Sequence, residues 1–219
     1  SYPSALELLR LLRNVRVGGM LSGKKGILHL HLGALSSKMD LLFEIIENYE
    51  FPIEHISPTH VGRTKDLFNQ AITFAKMGGM IDITTGASKY TDPYKSVLYA
   101  LDNNVSIDNM TFSSDGNAGL DKLDKNNNLV GFKSAPFDKN FEEVINLHKL
   151  GGIPIEDALK LITSNPAKNL GLKNKGQVKV NSDADLCFLN SDLELHTVIA
   201  NGKFMMQEGA LVVKGSFEK

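Results

Sequence analysis

Four strand-like runs recur along the first half of the chain at intervals of about 25 to 30 residues, the pitch of βαβ units. They begin at Gly26, Glu54, Met80 and Met110, and stretches of helical periodicity separate them. Right-handed crossovers put the C-terminal ends of such strands on one edge. Three of those ends carry chemistry. Leu28-His29-Leu30-His31-Leu32-Gly33 ends in histidine, Ser57-Pro58-Thr59-His60-Val61-Gly62-Arg63 in histidine followed by arginine, and Thr111-Phe112-Ser113-Ser114-Asp115-Gly116-Asn117 in aspartate. A barrel strand delivers a catalytic group in this way, with the backbone fixed and the side chain at the tip. Two imidazoles and one carboxylate so placed are the ligand set of a catalytic zinc-type site.

Between the strands the chain predicts a helix capped by Ser4, with Glu7 as capping-box partner, running to about Val15 and stopped by Gly18-Gly19. Ser36-Ser37 is expected to cap a helix from Lys38 to about Tyr49, broken by Pro52. Further helices are predicted over Lys65–Met77, ended by Gly78-Gly79, and from Asp92-Pro93 to about Leu101. Residues 116–137 read as one long loop, followed by helices over Asn140–Leu150 and Ile155–Thr163. From Gly176 the pattern changes to short strands: Gln177–Val180, Ala184–Leu189, Leu195–Ala200, Lys203–Met206 and Ala210–Val213, with Asn201-Gly202 as a hairpin turn. Four βα units are half of a (β/α)8 barrel, which leaves parallel edges unpaired. An open doubly wound sheet avoids that difficulty, but no Gly-x-Gly-x-x-Gly turn follows any strand, and such a sheet needs no terminal β module.

Composition excludes several classes. The 219 residues carry a formal net charge of -1, so no basic excess advertises nucleic acid or an anionic membrane. No apolar run approaches the roughly 18 residues of a membrane span, and no signal peptide is recognisable. Cys187 is the only cysteine, which rules out a disulfide within the chain and suggests a reducing, cytoplasmic setting. The start at Ser1, with a helix under way by Ser4, suggests a piece of a longer protein, a tag remnant being the alternative.

The pieces His31-Leu-Gly, Pro58-Thr-His60-Val-Gly-Arg63, Gly78-Gly-Met-Ile-Asp-Ile-Thr84 and Ser113-Ser-Asp115-Gly-Asn117 resemble the amidohydrolase superfamily. So do Thr163-Ser-Asn-Pro-Ala167, Asp183-Ala-Asp185-Leu and Ala200-Asn-Gly-Lys203 in the tail. Within that superfamily the Pro-Thr-His-Val-x-Arg and Ser-Ser-Asp-Gly-Asn pieces point to the isoaspartyl (β-aspartyl) dipeptidases rather than to dihydroorotase or urease relatives. The resemblance implies an α/β fold comprising the C-terminal half, strands 5–8, of a metal-dependent hydrolase (β/α)8 TIM barrel, over residues 1–172. Residues 173–219 would supply C-terminal strands of a small β-sandwich. His31, His60 and Asp115 would be metal ligands on strands 5, 6 and 8. The His-x-His pair of strand 1 and the carboxylated lysine of strand 4 that bridges two zinc ions are absent. His29-x-His31 imitates that pair, but its Leu-Gly flank and its distance from His60 favour strand 5.

The activity so implied is zinc-dependent hydrolysis of the isopeptide bond of β-aspartyl dipeptides by metal-activated hydroxide. Asp115 would take a proton on attack and pass it to the leaving amine. Arg63 would bind a substrate carboxylate through its planar fork. Members of the group often carry a substrate-binding serine four residues past the catalytic aspartate; here that position is Gly119. Another amidohydrolase activity, cyclic amidase or deacetylase, is the alternative. So is a non-catalytic fragment needing its N-terminal half. A homo-oligomer is expected, with neither nucleic acid nor membrane as partner. Tyr90 and Lys133 lie in loops from which they can approach the site. Plainer readings suit the rest: His29 as a core or second-layer histidine, His55 and His196 as structural or surface groups, His148 as a helix C-terminal charge. Cys187 reads as buried packing and Asp183-Ala-Asp185 as turn chemistry.

Overall fold

The structure, a computed structural model, describes residues 2–86 and 90–215. The chain forms two compact units, Ser1–Gly171 and Leu172–Lys219.

In the first unit, helix α1 (Ala5–Leu21) starts with the expected capping box, in which Ser4 and Glu7 satisfy each other's orphan groups. It does not stop at Gly18-Gly19. Gly19 is buried inside the helix, where a Cβ would lie 2.3 Å from the backbone nitrogen of Gly26. A Cβ on Gly26 would in turn lie 2.1 Å from the carbonyl oxygen of Val15. The glycines therefore allow two backbones to touch, which local sequence reads equally well as a stop.

Strand β1 (Leu28–His31) pairs in parallel with β2 (Ile56–Thr59), and β3 (Ile81–Thr84) with β4 (Met110–Ser113). The intervening helices are α2 (Asp40–Tyr49), α3 (Lys65–Lys76) and α4 (Pro93–Asp102). Ser36-Ser37 does not cap α2: its first residue follows Met39, whose amide donates to Gln70 Oε1 of α3 at 2.7 Å, while Gln70 Nε2 donates to Asp40 at 2.8 Å. The cap comes from a neighbouring helix, so no local motif encodes it. The stretch expected as strand from Glu54 begins with a single 3-10 turn, Ile53–His55, and Asp92-Pro93 opens α4 as expected.

Alternation along the strands sorts the faces. Ile56, Ile81, Ile83, Met110 and Phe112 are buried in one core with Leu12, Ile45, Leu67, Phe68, Phe74, Val97 and Leu147 of the helices. The opposite positions are polar throughout, and the registers set them side by side: His29 with Ser57, His31 with Thr59, Asp82 with Thr111, Thr84 with Ser113.

The stretch 116–137, expected as a loop, contains an antiparallel hairpin of β5 (Gly119–Leu123) and β6 (Leu129–Ser134). The Asp124 carboxylate closes its turn by accepting the amides of Asn126 and Asn128 at 2.8 and 2.9 Å. Both strands are largely exposed, so no apolar alternation marks them. Helices α5 (Lys139–Lys149) and α6 (Ile155–Lys160) match expectation, α6 being shorter. Helix α7 (Ser164–Leu170) was not expected; Asn165 anchors it by donating to the Ile107 and Met110 carbonyls, each at 2.8 Å.

The second unit holds a four-stranded antiparallel sheet in the order β10-β9-β8-β7, from β7 (Leu186–Leu189), β8 (Leu195–Ala200), β9 (Lys203–Gln207) and β10 (Ala210–Leu211). Asn201 and Gly202, at φ 49° and 76°, turn β8 into β9 as the dipeptide predicts. Gln177–Val180, expected as a strand, forms none, and Val178 and Val180 are exposed. Cys187, expected as buried packing, is exposed. Lys175 bridges Asp183 and Asp185, and Asp185 also accepts the Asn201 amide at 2.7 Å, the turn chemistry expected there. No described helix is long and apolar enough to cross a membrane.

Candidate metal centre

His31 is the last residue of β1, His60 follows β2, and Asp115 lies two residues beyond β4. Ligand atoms of all three lie within 4.8 Å of one another. His60 Nε2 is 2.9 Å from His31 Nδ1 and 4.0 Å from Asp115 Oδ2. Two of the three have backbones in the left-handed region, His60 at φ 62° and Asp115 at φ 52°. An L-residue pays for that conformation, and such residues cluster at functional sites. At His60 the unusual φ turns the chain from strand to a 3-10 turn, Val61–Arg63, and leaves the imidazole at the tip.

The His60 ring is buried, and its Nδ1 meets Thr84 Oγ1 of β3 at 2.6 Å. Burial lowers its pKa below the ordinary imidazole value, Arg63 adds to this, and Asp115 opposes it. A neutral imidazole with one nitrogen held and the other facing His31 and Asp115 is the form that binds a metal. Two imidazole nitrogens and a carboxylate oxygen are donors that zinc, cobalt and manganese accept. The residues present therefore fit a divalent metal.

Behind these groups lies a network that sequence reasoning passed over. Asp82, in the middle of β3 and 5% exposed, accepts from Thr59 Oγ1 at 2.6 Å, from Thr111 Oγ1 at 2.7 Å and from Ser113 Oγ. The signal was present as alternation: Ser57-x-Thr59, Asp82-x-Thr84 and Thr111-x-Ser113 put polar groups on one face of three successive strands.

The other expected residues fall as follows. Arg63 is exposed in the turn after His60. Gly119 is the first residue of β5, exposed, with open space where a side chain would be. Lys133 lies in β6 rather than in a loop, and Tyr90 is half-buried next to residues outside the description. His29 Nδ1 is 3.4 Å from Ser57 Oγ, which Asn169 also reaches at 3.0 Å. His55 meets the Gly26 carbonyl, and His148 Nδ1 the Ile153 carbonyl at 2.8 Å. His196 is exposed in the second unit.

The amidohydrolase family profile matches residues 23–205. Among solved structures, the chain is similar to the β-aspartyl dipeptidase of Fervidobacterium islandicum AW-1 in complex with a β-Asp-Leu dipeptide. Identity is 37% over 100% of this chain and 57% of that one, at a TM-score of 0.88. A second structure described as the dipeptidase of that organism matches at 33% identity over 99% of this chain and 55% of that one, at a TM-score of 0.85. A mutant atrazine chlorohydrolase from Arthrobacter aurescens TC1, complexed with zinc and atraton, shares the fold at 12% identity and a TM-score of 0.59, over 94% of this chain and 49% of that one. The chain thus spans little more than half the length of the dipeptidases it matches.

Proposed function

Since the chain belongs to the amidohydrolase family, we propose that the protein containing it is a zinc-dependent dipeptidase that hydrolyses the isopeptide bond of β-aspartyl dipeptides. The observation that carries this reading is the convergence of His31, His60 and Asp115 within 4.8 Å in a chain 37% identical to such an enzyme.

In this reading His31, His60 and Asp115 hold the metal, on strands 5, 6 and 8 of the complete barrel. Residues 1–172 form the C-terminal half of that barrel and residues 173–219 part of a β-sandwich. The rest of the protein supplies a His-x-His pair and a bridging carboxylated lysine, for two zinc ions in all. Bound zinc supplies Lewis acidity and brings the pKa of water near neutrality. Asp115, at the mouth and part-exposed, takes the proton of that water and returns it to the departing α-amine. Arg63, three residues past His60, offers two parallel N–H donors to a substrate carboxylate. Gly119, four residues past Asp115 at the start of β5, has open space where a side chain would stand, in place of the serine that the resemblance implies for substrate contact. The complete enzyme is expected to be a cytoplasmic homo-oligomer.

The test is hydrolysis by the complete zinc-loaded protein of β-Asp-Leu, with α-Asp-Leu, a cyclic amide and an N-acetylated sugar as competitors. A kcat/KM for β-Asp-Leu at least about 10-fold above every competitor supports the reading. Preference for the cyclic amide or the acetylated sugar moves the activity to another amidohydrolase chemistry, and turnover of none overturns it.

A further inference from the structure

The two parallel strand pairs carry the ligands separately: β1 and β2 bring His31 and His60, while β3 and β4 lead to Asp115. Among the described residues no backbone ladder joins β2 to β3. Side chains cross that seam instead. Thr59 Oγ1 donates to Asp82 Oδ1 at 2.6 Å, and His60 Nδ1 meets Thr84 Oγ1 at 2.6 Å. Asp82 also holds β4, through Thr111 at 2.7 Å and Ser113. The three hydroxyls occupy chosen positions: Thr59 directly precedes His60, Ser113 lies two residues before Asp115, and Thr111 is the register partner of Asp82.

An anion buried to this depth is costly unless its lone pairs are met. Among the described residues no lysine or arginine forms an ion pair with Asp82; three O–H donors compensate it, from both strands that flank β3. We propose that Asp82 is a positioning residue: its carboxylate ties the end of β2 to β3 across the seam and braces the paired β4 on its other side, and so fixes the spacing of His60 and Asp115. This rests on the reading of His60 and Asp115 as metal ligands. Asp82 is not one of the three clustered ligands. It acts through Thr59 and Ser113 on the backbones that aim the two ligands, with Thr84 holding the His60 ring from the same strand.

The experiment uses the complete protein with Asp82→Asn, which keeps the volume and one acceptor oxygen but loses the second acceptor and the charge. Zinc affinity is read by chelator competition, ligand geometry by the visible absorption of the cobalt-substituted protein, and folding by thermal melting. Expected are a zinc affinity weakened about 10- to 100-fold, an altered cobalt spectrum, and at saturating zinc a fall in kcat with KM held within about 2-fold. Thr59→Val and Thr111→Val, which each remove one donor and keep the acid, carry the same test at smaller amplitude if Asp82→Asn does not fold. Wild-type zinc affinity and cobalt spectrum in the folded variants overturn the proposal, even where the melting temperature drops. A wild-type protein that binds neither zinc nor cobalt overturns the metal reading itself, a separate result.

Discussion

His60 and Asp115 adopt left-handed backbones that most residues avoid, and both stand where a strand gives way to a turn. The cost of that conformation, of order 1–3 kcal/mol per residue, persists because the surrounding bonds over-determine it. At His60 those bonds are the Thr84 contact and the turn in which the Arg63 amide donates to the His60 carbonyl at 3.2 Å. Replacing Asp115 with Asn keeps its shape and removes its proton acceptor. The expected result is a kcat on β-Asp-Leu lower by about 100- to 10,000-fold, measured at saturating zinc. Elsewhere in the unit, Glu143 of α5 is buried and accepts the Tyr94 amide at 2.9 Å. Burial raises its pKa above the ordinary carboxylate value, a shift the hydrogen bonds from Tyr94 and Asn146 only partly offset. With a raised folded pKa the native state binds the proton more tightly than the unfolded chain, so stability falls as pH rises through that range. Glu143→Gln removes this dependence. Its melting temperature should exceed that of the wild type at pH 7, and the difference should shrink as pH is lowered from the raised value toward the ordinary glutamate value and level off below it.

At the level of elements, glycines and a glutamine do what local motifs do not announce. Gly26→Ala would press a Cβ to 2.1 Å from the Val15 carbonyl oxygen, where only backbone can yield. Overpacking of this kind costs about 1–3 kcal/mol or more. Gly18, one residue before the buried Gly19, has nothing within 4 Å of a Cβ. Gly18→Ala should therefore stabilise by about 0.5–1 kcal/mol through helix propensity alone. Denaturant melts of the two variants, opposite in sign, check the packing of α1 on the segment entering β1. Gln70→Ala should cost about 1 kcal/mol, the worth of a helix cap, although Gln70 lies on another helix from the one it caps.

For the molecule as a whole, metal content is the decisive quantity. The complete protein is expected to carry two zinc ions, measured by plasma mass spectrometry. A ligand that binds only the native state stabilises it by mass action, so chelation should lower the melting temperature and added zinc restore it. A protein whose melting temperature ignores both chelator and added zinc would not be stabilised by a metal held at His31, His60 and Asp115.

Much of this was legible along the chain. The βα period, the three loaded strand tips and the Asn201-Gly202 hairpin are local or nearly local features, because strand alternation and turn conformation act over a few residues. From the order of units alone, handedness of crossover predicts that the three tips share an edge. What tertiary structure decided depends on atoms far apart in sequence. Gly19 is a contact rather than a stop because Gly26 folds against it. Met39 needs no serine cap because Gln70 arrives from α3. Residues 119–134 pair as strands without an apolar stripe. Asp82 is tolerable in a buried strand because Thr59, Thr111 and Ser113 converge on it from two neighbours. Periodicity reports which face a residue takes. Only packing determines which partner meets it there, and for a buried polar group that partner sets whether burial is costly or stable.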